Sequence, residues 1–257
     1  MKILVTFALE NEFAPWRAMR HFRLRQWGKA QAYCAEIGGA DVGAIVTGVG
    51  PRIACLQAQR VLQSDGDAIQ FCVSSGLAGA VKPQYSIGQV LVARGVRSER
   101  PGGDRNANVV ECSGALLSFV ESCGATIVNR FYTAERAIVA QDEKAHIAQF
   151  ADAVEMESFG ILTEAAASGI PAIAIRAVSD VADEDLPLDM NKVFTDKGRV
   201  SVPRVLGQVA RHPASVPGLM KLGQQSKKAA EALTEFLDRY VALVAERTAA
   251  LGARGAA

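Results

Sequence analysis

The sequence predicts an α/β protein built on a mostly parallel, covered sheet. Short apolar runs alternate along the chain with longer helix-like segments, the pattern of strands buried on both faces. Several runs stop at glycine-rich turns or at carboxylates: TGVG at 47–50, SSGLAGAV at 74–81, VEMES at 154–158 and VSDVAD at 178–183. In an open α/β sheet the carboxyl ends of strands are where ligands bind. The 257 residues suit one large domain or two small ones.

The elements follow in order. Residues 3–8 read as a buried strand and 11–19 as the helix after it. Ala30–Ile37 and 42–47 are strands joined by a Gly38-Gly39 turn. Pro51 stands at a natural first-turn position and opens a helix over 52–63. Strands are expected over 68–74 and 90–96, and 97–108 reads as a polar, lid-like loop. A helix over 116–121 precedes strands at Thr126–Thr133 and 137–139, with a short helix at 144–150. The apolar run 151–156 delivers Glu157. A helix over 159–168 is closed by Gly169 and Pro171, and the run 171–178 delivers Ser179 and Asp180.

From about Asp196 the character changes. Between Lys197 and Lys228 stand seven Lys/Arg and no Asp or Glu. Leu219, Leu222, Ala229, Leu233, Phe236, Leu237, Tyr240 and Val244 then approximate a helical stripe. The expected organisation is an α/β domain over 1–195 and a basic, amphipathic helical extension over 196–257.

Composition narrows the function. With 28 basic and 27 acidic residues, general nucleic-acid binding by the whole molecule is disfavoured. Cys34, Cys55, Cys72, Cys112 and Cys123 are scattered, with no CxxC pair, and read as reduced thiols of a cytoplasmic protein. The amino terminus has no signal-peptide pattern, and no uninterrupted apolar stretch is long enough to span a membrane. His21, His146 and His212 are far apart and lack a metalloenzyme context. No G-x-S-x-G elbow exists, and TGVGPRIA lacks the third glycine and the later acid of a dinucleotide site.

What remains is a rim of carboxylates and glycines: Glu12 in ALENE, Gly48 in TGVG, Gly76 in SSGLAGAV, and the Met156-Glu157 and Ser179-Asp180 pairs. Singly, each acid is more often a helix cap or a surface charge, and GxG is weak evidence. Together, at strand exits of one sheet, they can grip and protonate one small molecule.

The same motifs carry a resemblance. VEMES followed by RAVSDVAD, with ALENE at the first strand end and SGLAG after a later one, resembles the purine nucleoside phosphorylase and nucleosidase superfamily, and most closely the methylthioadenosine/S-adenosylhomocysteine nucleosidases. The resemblance spans about residues 1–190. It implies a single domain with a central mixed, partly barrel-like sheet flanked by helices, usually as a homo-oligomer, with dimers typical of the nucleosidases. It implies Asp180 as the general acid that protonates the purine at N7 and Glu12 as base on the attacking water. Glu157 would hold the ribose hydroxyls, Met156 would pack on the sugar, and Ser179 would orient the base or Asp180. Gly76, Leu77, Ala78 and Gly48 would line the pocket, and main-chain groups near Ile138 or Val139 would read the purine edge. No metal or organic cofactor is implied.

Two departures bear on the reaction. Leu77 stands where nucleosidases carry a small hydroxyl residue. Ser74 and Ser75 stand where the superfamily's phosphorylases place a phosphate-binding arginine, and their phosphate loop after the first strand is missing. Phosphorolysis needs charge-assisted donors around a dianion. Arg17, Arg20, Arg52 and Arg94 are the substitutes the sequence offers, each more simply read as a solvated side chain. Hydrolysis is therefore favoured, with phosphorolysis the alternative and a non-catalytic nucleoside- or membrane-binding protein the third reading. SSGLAGAV and the tail are also similar to hopanoid-associated phosphorylases, which implies a lipid-linked adenosine and peripheral membrane contact through the basic tail. The plainer reading packs that tail on the core or on a partner.

Overall fold

The computed structural model describes residues 1–28, 30–63, 69–98 and 108–255, with side chains to 250. The chain runs β1 (Lys2–Phe7), α1 (Glu10–Arg20), β2 (Arg23–Trp27), β3 (Ala30–Ile37), β4 (Ala40–Val46), α2 (Pro51–Leu62) and β5 (Phe71–Ala80). It continues through β6 (Val90–Ser98), β7 (Val109–Glu111), α3 (Gly114–Leu117), β8 (Thr126–Thr133), α4 (Gln141–Ile147) and β9 (Ala153–Glu155). It closes with α5 (Ser158–Ala167), β10 (Ala172–Asp180), α6 (Val202–Arg211) and α7 (Val216–Gly255).

All strands join one sheet in the order β10-β6-β8-β9-β5-β1-β4-β3-β2, with β7 on β6. An additional β10–β5 pairing closes β10, β6, β8, β9 and β5 into a five-strand barrel. Closure removes exposed ladder edges on that side of the sheet. The ten residues of β5 allow it to serve several partners: Phe71–Ser74 face β1, Gly79 and Ala80 face β9, and Cys72–Gly79 run beside β10. The sheet is mixed, as the resemblance implies. Among the described residues five of its pairings are parallel and five antiparallel, so the mostly parallel sheet read from strand–helix alternation is corrected.

Other corrections have local causes. β2, RLRQW, was not anticipated because four of its five residues face solvent on the open edge and leave no apolar alternation to read. The strand expected to end at Ser74 continues through SSGLAGA to Ala80. Residues 137–139 form no strand: Ala137 pairs with the Asn191 side chain, and the Val139 carbonyl accepts from the Leu186 N–H. The helix expected over 116–121 is the four-residue α3 followed by a 3-10 turn at Glu121–Cys123. Most of the lid-like loop lies outside the described residues.

The apolar stripe of the tail packs against the sheet. Ala229, Leu233, Phe236, Leu237, Tyr240, Val241 and Val244 of α7 belong to the same buried cluster as the strands. Tyr240 Oη donates to the Leu116 carbonyl at 2.9 Å. Asp238 accepts from Arg20 at 2.5 and 2.7 Å and from Trp16 Nε1 at 3.2 Å, tying α7 to α1. No described helix is long and apolar enough to cross a membrane. Leu237→Ala, at a fully buried position, should cost about 2–5 kcal/mol by urea unfolding, whereas Met220→Ala, at a position 64% exposed, should stay within about 0.5 kcal/mol. Equal losses would mean that the stripe contributes no more than the helix's exposed face.

Candidate active site

The site is assembled at the carboxyl ends of β1, β5 and β10. Glu12 lies in the first turn of α1, and its side chain reaches back to its own helix start. Oε2 accepts from the Ala8 and Leu9 N–H groups at 2.9 and 3.0 Å, a helix-capping arrangement. Oε1 accepts from the Leu77 N–H at 3.2 Å, joining α1 to β5. Gly76 makes this approach feasible: its φ is +151°, and a Cβ there would stand 3.2 Å from the Glu12 carboxylate. Burial raises the Glu12 carboxyl above its ordinary range, with the Leu9 N–H and Arg176 opposing the shift.

Glu157 lies at the N-cap position of α5. Its Oε1 accepts from the Gly50 N–H, the residue preceding α2, at 3.0 Å. Beneath it lies a buried ionic cluster. Arg176 of β10 is 1% exposed and donates through Nη2 to Glu155 Oε2 at 2.5 Å, with Glu157 Oε2 3.8 Å away. Its remaining Nη bonds go to the Ser74 carbonyl and hydroxyl and to the Ile175 carbonyl. Glu155 also accepts from the N–H groups of Glu157 and Ser158 and from Thr133 Oγ1, fixing the start of α5. Burial pushes the Glu157 carboxyl well up, the neighbouring Glu155 charge pushes the same way, and Arg176 opposes both.

Asp180 ends β10 beyond a bulge: the β10–β5 register slips between Val178 and Asp180, so Ser179 is the extra residue. Asp180 Oδ1 accepts from Ser179 Oγ at 3.0 Å and Oδ2 from Lys144 Nζ at 2.7 Å. A Cβ on Gly79 would stand 2.7 Å from Oδ2, so glycine leaves the room that the carboxylate occupies.

These groups border a cavity of about 270 Å³. Of the residues expected at the site, Glu12, Leu77, Ala78, Ile138, Met156, Glu157, Ser179 and Asp180 line it. Gly76 lies behind Glu12. Gly48 does not line this cavity; it faces a larger adjoining groove of about 1330 Å³, and Val49 takes its place at the wall. Val139 is set back, its carbonyl held by Leu186. Among the described residues the Ile138 amide and carbonyl make no hydrogen bond, so they are the free main-chain groups at that end.

The phosphorylase-superfamily sequence profile matches residues 2–211. The chain belongs to the phosphorylase superfamily. Its fold is similar to the Helicobacter pylori 5′-methylthioadenosine/S-adenosylhomocysteine nucleosidase in complex with an inhibitor, with TM-score 0.71 and 18% identity over 94% of this chain and 97% of that one. The futalosine hydrolase of Helicobacter pylori gives TM-score 0.70 and 17% identity over 94% and 97%. The Neisseria meningitidis nucleosidase in complex with methylthio-immucillin-A gives 0.70 and 18% over 94% and 98%.

Lys144, Glu155 and Arg176 were not among the residues expected at this superfamily site. Arg176 left a readable signal, a lone arginine in the apolar run AIAIRAV, where a buried cation demands a partner. Lys144 left none, since its acceptors lie 36 to 40 residues further along.

A pH dependence follows. Raising the folded-state affinity of Glu157 for its proton gives stability that is fully present below about pH 4.5, the ordinary value, and lost as pH rises through the elevated folded value. Glu157→Gln cannot titrate. Between pH 5 and 9 the wild-type Tm should therefore fall relative to the variant, reflecting an unfolding free energy that declines with a limiting slope of about 1.4 kcal/mol per pH unit. Parallel Tm curves would show that Glu157 is already ionised in the folded protein.

Proposed function

We propose that the protein hydrolyses the N-glycosidic bond of a 5′-substituted adenosine and releases adenine. The observation that carries this reading is that Asp180, Glu12 and Glu157 line one cavity of about 270 Å³, with Glu12 beside Gly76 and Leu77 of β5 and Asp180 beside Gly79. An adenine is a poor leaving group as an anion, and proton donation from Asp180 to N7 lets it depart neutral. Glu12, raised by burial, takes a proton from the water that attacks C1′. Glu157 accepts from the two ribose hydroxyls, which favour its ionised form on binding. Met156 packs on the sugar, the Ile138 main chain meets the purine edge, and Ser179 orients Asp180. Both proton transfers use side chains, so the reaction needs no metal or organic cofactor. The nucleosidase and hydrolase activities named for proteins of similar fold agree with this reading.

Water rather than phosphate is the proposed nucleophile. Arg17 pairs with Glu10 and Arg20 with Asp238, and neither these nor Arg52 nor Arg94 lines the cavity. Arg136 alone among the described arginines does, and it is bound to Glu143 at 2.6 Å. Arg176 spends its Nη donors on Glu155, Ser74 and Ile175. Purified protein given methylthioadenosine or S-adenosylhomocysteine should release adenine without phosphate. Asp180→Asn and Glu12→Gln should each lower kcat by about 10²- to 10⁴-fold. Turnover only with phosphate would overturn the hydrolytic assignment, and unchanged rates in the variants would overturn the residue roles.

A second reading concerns the 5′ substituent. The cavity shares Asn11, Met190, Val200, Leu222 and Ser226 with a largely apolar annex of about 410 Å³, walled also by Leu188, Val193, Val205 and Leu219. Val202, Leu206 and Met220 stand exposed nearby on α6 and α7. A long apolar substituent, lipid-linked in the extreme, would fill the annex. At about 0.8 kcal/mol per buried CH₂, kcat/KM should then rise several-fold for each methylene added to a 5′-alkylthio chain; a flat series excludes this reading.

A further inference from the structure

Lys144 of α4 has no role in the reaction as written, and it is the one lysine among the described residues that is fully buried. It is absent from the cavity wall. An ammonium withdrawn from water is unfavourable unless each of its protons finds an acceptor. Here all three do: Asp180 Oδ2 at 2.7 Å, the Val181 carbonyl at 2.7 Å and the Glu184 carbonyl at 3.0 Å. The two carbonyls anchor the head independently of Asp180, making Lys144 a fixed cation. If packing alone were required, an apolar side chain would fill this place at lower desolvation cost.

We propose that Lys144 is the positioning residue of the acid: its ammonium holds Asp180 by Oδ2, presents Oδ1 to the purine, and stabilises the carboxylate left after proton transfer. The proposal rests on the reading of Asp180 as the proton donor. Ser179 Oγ has one proton and two acceptors, Asp180 Oδ1 at 3.0 Å and the Ala78 carbonyl at 3.3 Å. When it turns to Ala78, Oδ1 is free to carry the proton, whereas Oδ2 stays with Lys144. In the reaction the Oδ1–H bond breaks and an N7–H bond forms. The C1′–N9 electron pair leaves with the base, and the water oxygen bonds C1′ as Glu12 takes its proton. Asp180 thereby passes from neutral acid to anion beside a cation already in place, which requires no rearrangement at the moment of reaction. Lys144 also sits at the junction holding the purine end together: Gln141 N–H donates to Asp185 Oδ1 at 2.8 Å, and Leu186 N–H to the Val139 carbonyl at 2.9 Å.

The test compares leaving groups in Lys144→Gln, which keeps an amide donor for the carbonyls but not the charge. On the adenosine-type nucleoside kcat should fall about 100-fold with KM within about threefold, whereas on 4-nitrophenyl riboside, whose phenolate leaves unprotonated, kcat should fall less than about fivefold. Adding Lys144→Gln to Asp180→Asn should cost nothing further. Equal losses on both substrates, or none on either, would overturn the proposal. If Asp180→Asn releases adenine normally, the acid assignment itself fails. If Asp180→Asn is inactive while Lys144→Gln keeps the wild-type ratio, only the role of Lys144 fails. Should Lys144→Gln not fold, the wild-type protein labelled with ¹⁵N-lysine decides: the exchange-protected ammonium resonance should move on binding adenine and stay still with 7-deazaadenine. No movement with adenine, or the same movement with both, would overturn the proposal.

Discussion

Arg176 is buried on β10, where a guanidinium persists only because Glu155 meets it at 2.5 Å and Ser74 and Ile175 take its other Nη protons. Glu155 in turn orders the first N–H groups of α5, and α5 begins directly after Glu157. Glu157 and the start of α5 are thus positioned by a charge that is almost wholly shielded from solvent. The dependence runs both ways. Without Arg176, Glu12, Glu155 and Glu157 would share a buried volume with no counter-charge among them, and that arrangement is costly enough to force protonation or rearrangement. Among the described residues Arg176 Nε meets no hydrogen-bond partner, so the guanidinium is held through its Nη groups alone.

The second constraint is the β5–β10 ladder. Arg176 is paired with Gly76, Ala177 with Leu77 and Asp180 with Gly79. Glu12 accepts a hydrogen bond from Leu77, so Glu12, Arg176 and Asp180 are all measured against the same few residues of β5. Their separation is set by strand geometry and not by loops. The Ser179 bulge is the one departure from regular pairing, and it turns Asp180 into the position where Lys144 and the cavity meet it.

Much of this was legible in the sequence where the signal is local. Strands buried on both faces show as apolar runs, and the acids that end them, Glu157 and Asp180, follow directly in VEMES and VSDVAD. Glu12 was legible by its place after the first strand. Partners distant in sequence were not legible. Lys144 looks like any lysine of a short helix until the fold brings Asp180 to it. The mixed character of the sheet escaped strand–helix alternation because its antiparallel pairings include strands distant in sequence, β5 with β9 and β6 with β10, as well as the neighbours β3 and β4, which no helix separates. Residues 137–139 carry strand-forming side chains, yet their main chain is taken up by Asn191 and Leu186, a tertiary competition that no local propensity records.

The clasp between α1 and α7 has a consequence for biosynthesis. Trp16 and Arg20 find their acceptor in Asp238, which follows more than two hundred residues later and so is synthesised long after them. Until α7 has emerged, the nascent chain carries an unsealed aromatic cluster of Phe7, Phe13, Trp16 and Phe22 on one flank of its sheet. Leu222 and Ser226 of that same helix also wall the cavity. A chain that lacks α7 is therefore both sticky and incomplete at its pocket, and the interval before α7 emerges is when chaperones have most reason to hold it.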